Sequence, residues 1–287
     1  MKAILATVVM TMAMSGGALA QAAPDAVIAR IKETKEVRLG YRESSVPFSY
    51  LGPDKKPVGY SIDLCMAVVE RLKKELELPN LEVRLQAVDL TTRIPLIQNG
   101  TIDLECGSTV NTLSRQKQVD FSYVSAVVAD QILVKATSRV KELEDLAGKQ
   151  VALPTGSTSV RTVQEINQAK KLNLRVLTVK DQAEGFLAVE TGRAEGYITD
   201  NTILYGLKQR ARDPKAFKVV GRPLSYLPYG IMMAKNNSTL LATVNRTLAE
   251  MYCSGEAKKL YEKWFSELGM PFNGQVKSAF ETNSIPD

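Results

Sequence analysis

The feature that most constrains the fold is an alternation of strand and helix patterns that runs through the chain twice. Val37-Arg-Leu-Gly-Tyr41 reads as a first strand. A helix capped by Ser61 follows, with Ile62, Cys65, Met66, Val69, Leu72 and Leu76 keeping the 3.6-residue period. Leu81, Val83, Leu85 and Ala87 then alternate with polar residues, as a half-buried strand requires. A short helix over 92–98 stops at Asn99-Gly100, and 102–106 is a further apolar strand. The second cycle places strands at 151–153, 175–179 and 196–199, with helices at 157–171, 183–190 and 202–210. Each cycle reads β-α-β-α-β, the signature of a mostly parallel sheet flanked by helices.

Between and after the cycles lie two extended crossovers, 119–135 and 229–235, followed by helices at 238–253 and 256–265. The expected architecture is α/β with two lobes, joined by two hinge strands. The polar stretch after Met270 is expected to be a loose tail. A length of 287 residues suits two domains, each large enough for its own core.

Residues 1–20 read as a secretory signal peptide. Lys2 is the basic start, Ile4 to Met14 the apolar segment, and Ala18-Leu19-Ala20 the small-x-small cleavage pattern; a cut after Ala22 fits the same rule. Removal after Ala20 leaves 267 residues carrying +5. No later run approaches about 18 apolar residues, so the mature chain is expected to be soluble and periplasmic.

The net charge of +6 on so long a chain reads as a solvated basic surface, with no nucleic acid as partner. Histidine is absent, which excludes Ser-His-Asp and Cys-His catalysis and any His-ligated metal site. No C-x-x-C, Walker-type or G-x-G-x-x-G motif occurs, and neither metal nor cofactor is expected. Cys65, Cys106 and Cys253 allow at most one intramolecular disulfide, and its pairing stays open at this level.

In open α/β sheets ligands sit beyond the carboxyl ends of strands. Those positions hold Arg42, Arg93, Ser108 and Arg115 in the first unit, and Ser157, Thr158 and Asp200 in the second. Gly-Ser-Thr occurs once in each unit, at 107–109 and 156–158, and such turns offer hydroxyls and backbone N–H groups to an anion. Guanidinium groups grip carboxylates through paired donors. The set describes a site for a small ligand with two negative groups and one positive.

The chain also resembles the periplasmic solute-binding proteins (family 3) of ABC transporters for polar amino acids, in particular the glutamate/aspartate-binding branch. The resemblance runs over nearly the whole mature chain. It is carried by Arg42-Glu-Ser-Ser-Val-Pro-Phe-Ser-Tyr50, Gly59-Tyr-Ser-Ile-Asp63, Arg93-Ile-Pro-Leu-Ile-Gln-Asn-Gly100, Glu105-Cys-Gly-Ser-Thr109, Arg115-Gln-Lys-Gln118 with Phe121-Ser122, and Lys263-Trp-Phe265. It implies the type II periplasmic-binding-protein fold, with lobe 1 from 21–128 and 232–287 and lobe 2 from 129–231.

Position by position, the resemblance implies that Arg115 grips the ligand α-carboxylate, with the Val110 N–H, Ser157 and Thr158. Asp200 and the Ser108 carbonyl take the α-ammonium, while Arg42 and Arg93 meet the side chain. Leu90, Val110, Pro154 and Gln182 depart from the Ser, Thr, Thr and His of that branch. The implied function is capture of an acidic amino acid by a monomer that delivers it to membrane permease subunits. A dehydratase-like enzyme on the same fold, with Glu43 or Glu105 as acid or base, and a ligand-sensing subunit are the competing readings.

Overall fold

The computed structural model describes residues 25–272 and 274–285; the signal-peptide segment lies outside them. Two five-stranded sheets share one plan. The first runs Glu82–Ala87, Glu36–Tyr41, Leu104–Glu105, Met232–Ala234, Val119–Phe121. The second runs Arg175–Val179, Gln150–Pro154, Gly196–Asp200, Asp130–Lys135, Phe217–Val220. In each, the first three strands are parallel and the fourth is antiparallel to its neighbours. Helical returns between the parallel strands cover the faces, as parallel pairing demands.

The second sheet shows how the sequence achieves this. Ile132, Val134, Val151, Leu153 and Ile198 pack on one face, while Leu133, Ala152 and Tyr197 pack on the other. A strand buried on both faces must be apolar throughout, and each large side chain so buried contributes roughly 1.5–3 kcal/mol. The first sheet has one large core, in which Leu39, Leu64, Val68, Leu72 and Leu104 meet Leu248 and Phe265 of the C-terminal helices Ser238–Cys253 and Glu256–Phe265.

Between the sheets, Ala126–Val128 pairs antiparallel with Leu227–Tyr229, so both crossovers pass through one two-stranded ribbon. Val110 bridges to Tyr229 beside it.

Several expectations need correction. Ser61 is not the helix cap: the helix is Tyr60–Glu75, Gly59 occupies the cap, and the Ser61 hydroxyl donates to the Gly107 carbonyl at 2.7 Å. Gly59 has φ 136°, and a Cβ there would lie 2.4 Å from the Phe48 carbonyl oxygen, so the tight approach selects glycine over a capping side chain. The stretch after Met270 is no loose tail, because Gly274–Thr282 is a helix. Val276 and Phe280, four residues apart, are buried, and Phe280 stacks on Tyr252 at 4.3 Å. Leu85 is 45% exposed, since its strand is the sheet edge. The predicted 102–106 strand pairs only over Leu104–Glu105.

The disulfide joins Cys65 to Cys106. Cys65 faces the sheet from its helix and Cys106 follows a core strand, so both are fully buried 6.1 Å apart at Cα, whereas Cys253 is exposed and free.

Candidate functional site

Strand ends and the turns beyond them bring most of the sequence-derived residues together. Arg42 follows Glu36–Tyr41, and its backbone N–H donates to Ser49 Oγ at 2.8 Å. Arg93 opens the helix Arg93–Gln98, held by a loop in which Asp89 accepts bonds from the N–H and hydroxyl groups of Thr91 and Thr92. Both arginines are 99% buried, and Arg42 Nη1 and Arg93 Nε and Nη1 have no hydrogen-bond partner among the described residues. Guanidinium groups in that condition require an anion or water nearby. Burial, then the neighbouring Arg93, pulls Arg42 down to about 10. Burial likewise lowers Arg93, against the pull of Glu105.

Arg115 spans the two units. Its Nη1 donates to the Val110 carbonyl at 2.8 Å and its Nη2 to the Gly156 carbonyl at 2.9 Å. Arg93 Nη2 reaches the same Gly156 carbonyl at 3.3 Å. Burial, then Arg93, brings Arg115 to about 10. The Val110–Tyr229 bridge is closed by Asn111 N–H to the Pro228 carbonyl and Gly230 N–H to the Thr109 carbonyl. Val110 therefore turns its own N–H and C=O to the opposite side, where Arg115 stands.

From the second unit come Gly156, Ser157, Thr158 and Asp200. Gly156 has φ 75°, and a Cβ on it would approach the Leu90 carbonyl oxygen at 2.8 Å, so the close inter-lobe contact depends on glycine. Ser157 caps the helix Thr158–Lys170 in position only: its hydroxyl makes no capping bond and is buried without a partner. Thr158 is half-buried at the first helical position. Ser159 ties that helix start to the sheet by donating to Asp130 at 2.6 Å. Asp200 ends Gly196–Asp200; its Oδ2 accepts from the Tyr229 hydroxyl and its buried Oδ1 has no partner. Burial, then Asp130, lifts Asp200 to about 7. Ser108 Oγ is buried on the first unit's side, also without a partner.

Arg42, Arg93, Ser108, Val110, Arg115, Ser157 and Asp200 thus line one region between the sheets. Residues singled out as departures serve the protein instead. The Gln182 side chain accepts from the buried Tyr197 hydroxyl, Pro154 accepts the Ser157 N–H at 3.2 Å, and Leu90 offers its carbonyl to the Gly156 contact. Tyr229 and Tyr197 were not legible as site neighbours, because each sits in a strand pattern with no motif of its own. The three guanidinium groups stand among carboxyl groups: Glu105 acts on all three, Asp89 on Arg42 and Arg93, and Asp200 on Arg93 and Arg115. Such a site can orient a small zwitterionic anion without supplying chemistry.

Residues 37–267 match the model of the bacterial extracellular solute-binding proteins, family 3. The L-glutamate/L-aspartate-binding protein of Pseudomonas aeruginosa is 45% identical over 239 residues, covering 83% of this chain and 79% of that protein. The glutamate/aspartate import solute-binding protein of Escherichia coli K12 is 38% identical over 273 residues, 93% of this chain and 90% of that one. A solved ancestral arginine-binding protein bound to glutamine has 33% identity and a TM-score of 0.73, covering 80% of this chain and 98% of its own.

Fold and site together define a two-lobed binding protein of the type II periplasmic class. The chain belongs to the bacterial extracellular solute-binding proteins of family 3. Its curated relatives are binding proteins rather than enzymes, so the reading with Glu43 or Glu105 as a catalytic acid or base is dropped.

Proposed function

We propose that this protein captures glutamate or aspartate between lobe 1 (21–128 and 232–287) and lobe 2 (129–231) and delivers it, as a monomer, to the permease subunits of an ABC transporter. The signal-peptide pattern of residues 1–20 and the family support a periplasmic location. One observation carries the ligand class: Arg42 and Arg93 lie buried with guanidinium nitrogens that have no hydrogen-bond partner among the described residues. Glu105 and Asp89 act on both cations through space, but the open N–H groups still need an acceptor, and a ligand side-chain carboxylate meets that need. Arg115, the Val110 N–H, Ser157 and Thr158 take the α-carboxylate, and Asp200 with the Ser108 carbonyl takes the α-ammonium. The names of the Pseudomonas and Escherichia relatives support the same ligand.

Leu90, Pro154 and Gln182 remove neutral donors, each worth about 0.5–1.5 kcal/mol, less than a charge-assisted arginine pair. Acidic ligands are therefore kept, with some breadth among related compounds. Mass spectrometry of the small molecule that co-purifies with the protein tests this reading: an acidic amino acid is expected, and an apolar or cationic one would overturn the ligand class.

A further inference from the structure

Glu105 has no place in the grip just described, yet it is 99% buried and neither of its carboxylate oxygens has a hydrogen-bond partner among the described residues. It ends the strand Leu104–Glu105, opposite Gly40 and Met232. Leu104 and Cys106 point into the first core, so strand alternation turns Glu105 to the other face, together with Gly107. A Cβ on Gly107 would fall 2.1 Å from Glu105 Oε1 and 2.9 Å from Arg42 Cγ. The carboxyl group therefore occupies the space that a side chain on Gly107 would take, beside the Arg42 stem. Its negative charge acts on Arg42, Arg93 and Arg115, favouring the charged form of each.

We propose that Glu105 is a specificity-determining residue that sets the net charge of the ligand, favouring monoanionic amino acids over dianionic dicarboxylates. The inference rests on the acidic-amino-acid reading. Glu105 is the one carboxylate that acts on all three guanidinium groups, with Asp89 and Asp200 acting on two each, so its charge lowers by one the positive charge that a ligand meets. Without the Glu105 charge the site is one unit more positive, which shifts preference towards a ligand with two carboxylates and no ammonium. At an effective dielectric of about 20, a unit charge several ångströms away changes affinity by about tenfold or more per ligand charge.

Calorimetric titration with L-glutamate, L-glutamine and glutarate separates the outcomes, after thermal unfolding has established that each variant is folded. Glu105→Gln and Glu105→Met both remove the charge at similar volume, and either one carries the test if the other does not fold. In these variants the Kd ratio of glutarate to glutamate is expected to fall about tenfold or more, with glutamine gaining least. Glutarate binding that emerges only in the neutral variants counts as the same shift. Glu105→Asp, which keeps the charge, should hold the ratio within about threefold of the parent. An unchanged ratio in the neutral variants, or an equal change in Glu105→Asp, overturns the proposal. A parent protein that binds neither glutamate nor aspartate would instead defeat the reading beneath it.

Discussion

Arg115 donates from one guanidinium nitrogen to the Val110 carbonyl at 2.8 Å and from the other to the Gly156 carbonyl at 2.9 Å, so a single side chain ties the two lobes together. Both bonds use a planar fork that lysine cannot reproduce. Arg115→Lys is expected to weaken every α-amino acid ligand, acidic or neutral, by about tenfold or more, because the α-carboxylate grip is common to all of them. Calorimetry with glutamate and glutamine checks this; a loss confined to glutamate would move Arg115 to the side-chain pocket.

The proposed function assigns Arg93 to the ligand side chain instead. Truncating one partner of a buried charge pair costs roughly 2–5 kcal/mol, about thirty-fold to several-thousand-fold in affinity. Arg93→Ala is expected to impose that loss on glutamate and aspartate while sparing glutamine by comparison. Equal losses for glutamate and glutamine would remove Arg93 from the side-chain pocket.

Asp200 makes the protein sensitive to pH. Its carboxyl is lifted from 3.8 to about 7 in the fold, chiefly by burial. A raised carboxyl pKa contributes stability in full below the unfolded value and loses it as pH rises through the folded one. At about 1.4 kcal/mol per unit, the loss amounts to a few kcal/mol between about pH 4 and 7. Asp103 and Asp130 are raised as well, so comparison with Asp200→Asn isolates the effect. The ligand ammonium favours the ionised form, so the glutamate-induced rise in Tm should grow from pH 5 to pH 8. In Asp200→Asn that growth should vanish; a parallel pH profile in both proteins would contradict the assignment.

Much of this architecture is legible in the sequence because strand and helix periods are strong where both sheet faces are buried. Val151-Ala-Leu and Gly196 to Thr199 are examples, buried along their length and paired in parallel. Legibility fades where one or two contacts decide. Val276 and Phe280 are enough to dock a helix in an otherwise polar stretch, and Gly59 displaces Ser61 from the cap through one close backbone approach. In the site, the arginines and Asp200 are visible as charges at strand ends. Tyr229 is not, because its bond to Asp200 depends on a crossover strand returning beside the second sheet. Cysteine spacing alone could not pair Cys65 with Cys106, since the pairing follows from which face of the helix meets the sheet.

That disulfide closes a segment with a sequence separation of 41 residues. In the chain-entropy model a loop of that size contributes about 4 kcal/mol. Replacing both cysteines by serine is expected to lower Tm by roughly 8–16 °C, at about 2–4 °C per kcal/mol for a protein of this size. Cys253→Ser should leave Tm unchanged. A Cys65→Ser/Cys106→Ser variant as stable as the parent would show that the bridge contributes nothing.

The central claim is that the open guanidinium nitrogens of Arg42 and Arg93 select an acidic amino acid. Calorimetric titration of the mature protein, stripped of bound ligand by unfolding and refolding, with L-glutamate, L-aspartate, L-glutamine and L-arginine tests it most directly. Saturable one-to-one binding of glutamate or aspartate is expected, with glutamine at least about thirty-fold weaker and arginine undetectable. Tighter binding of glutamine or arginine than of either acidic amino acid would contradict the account.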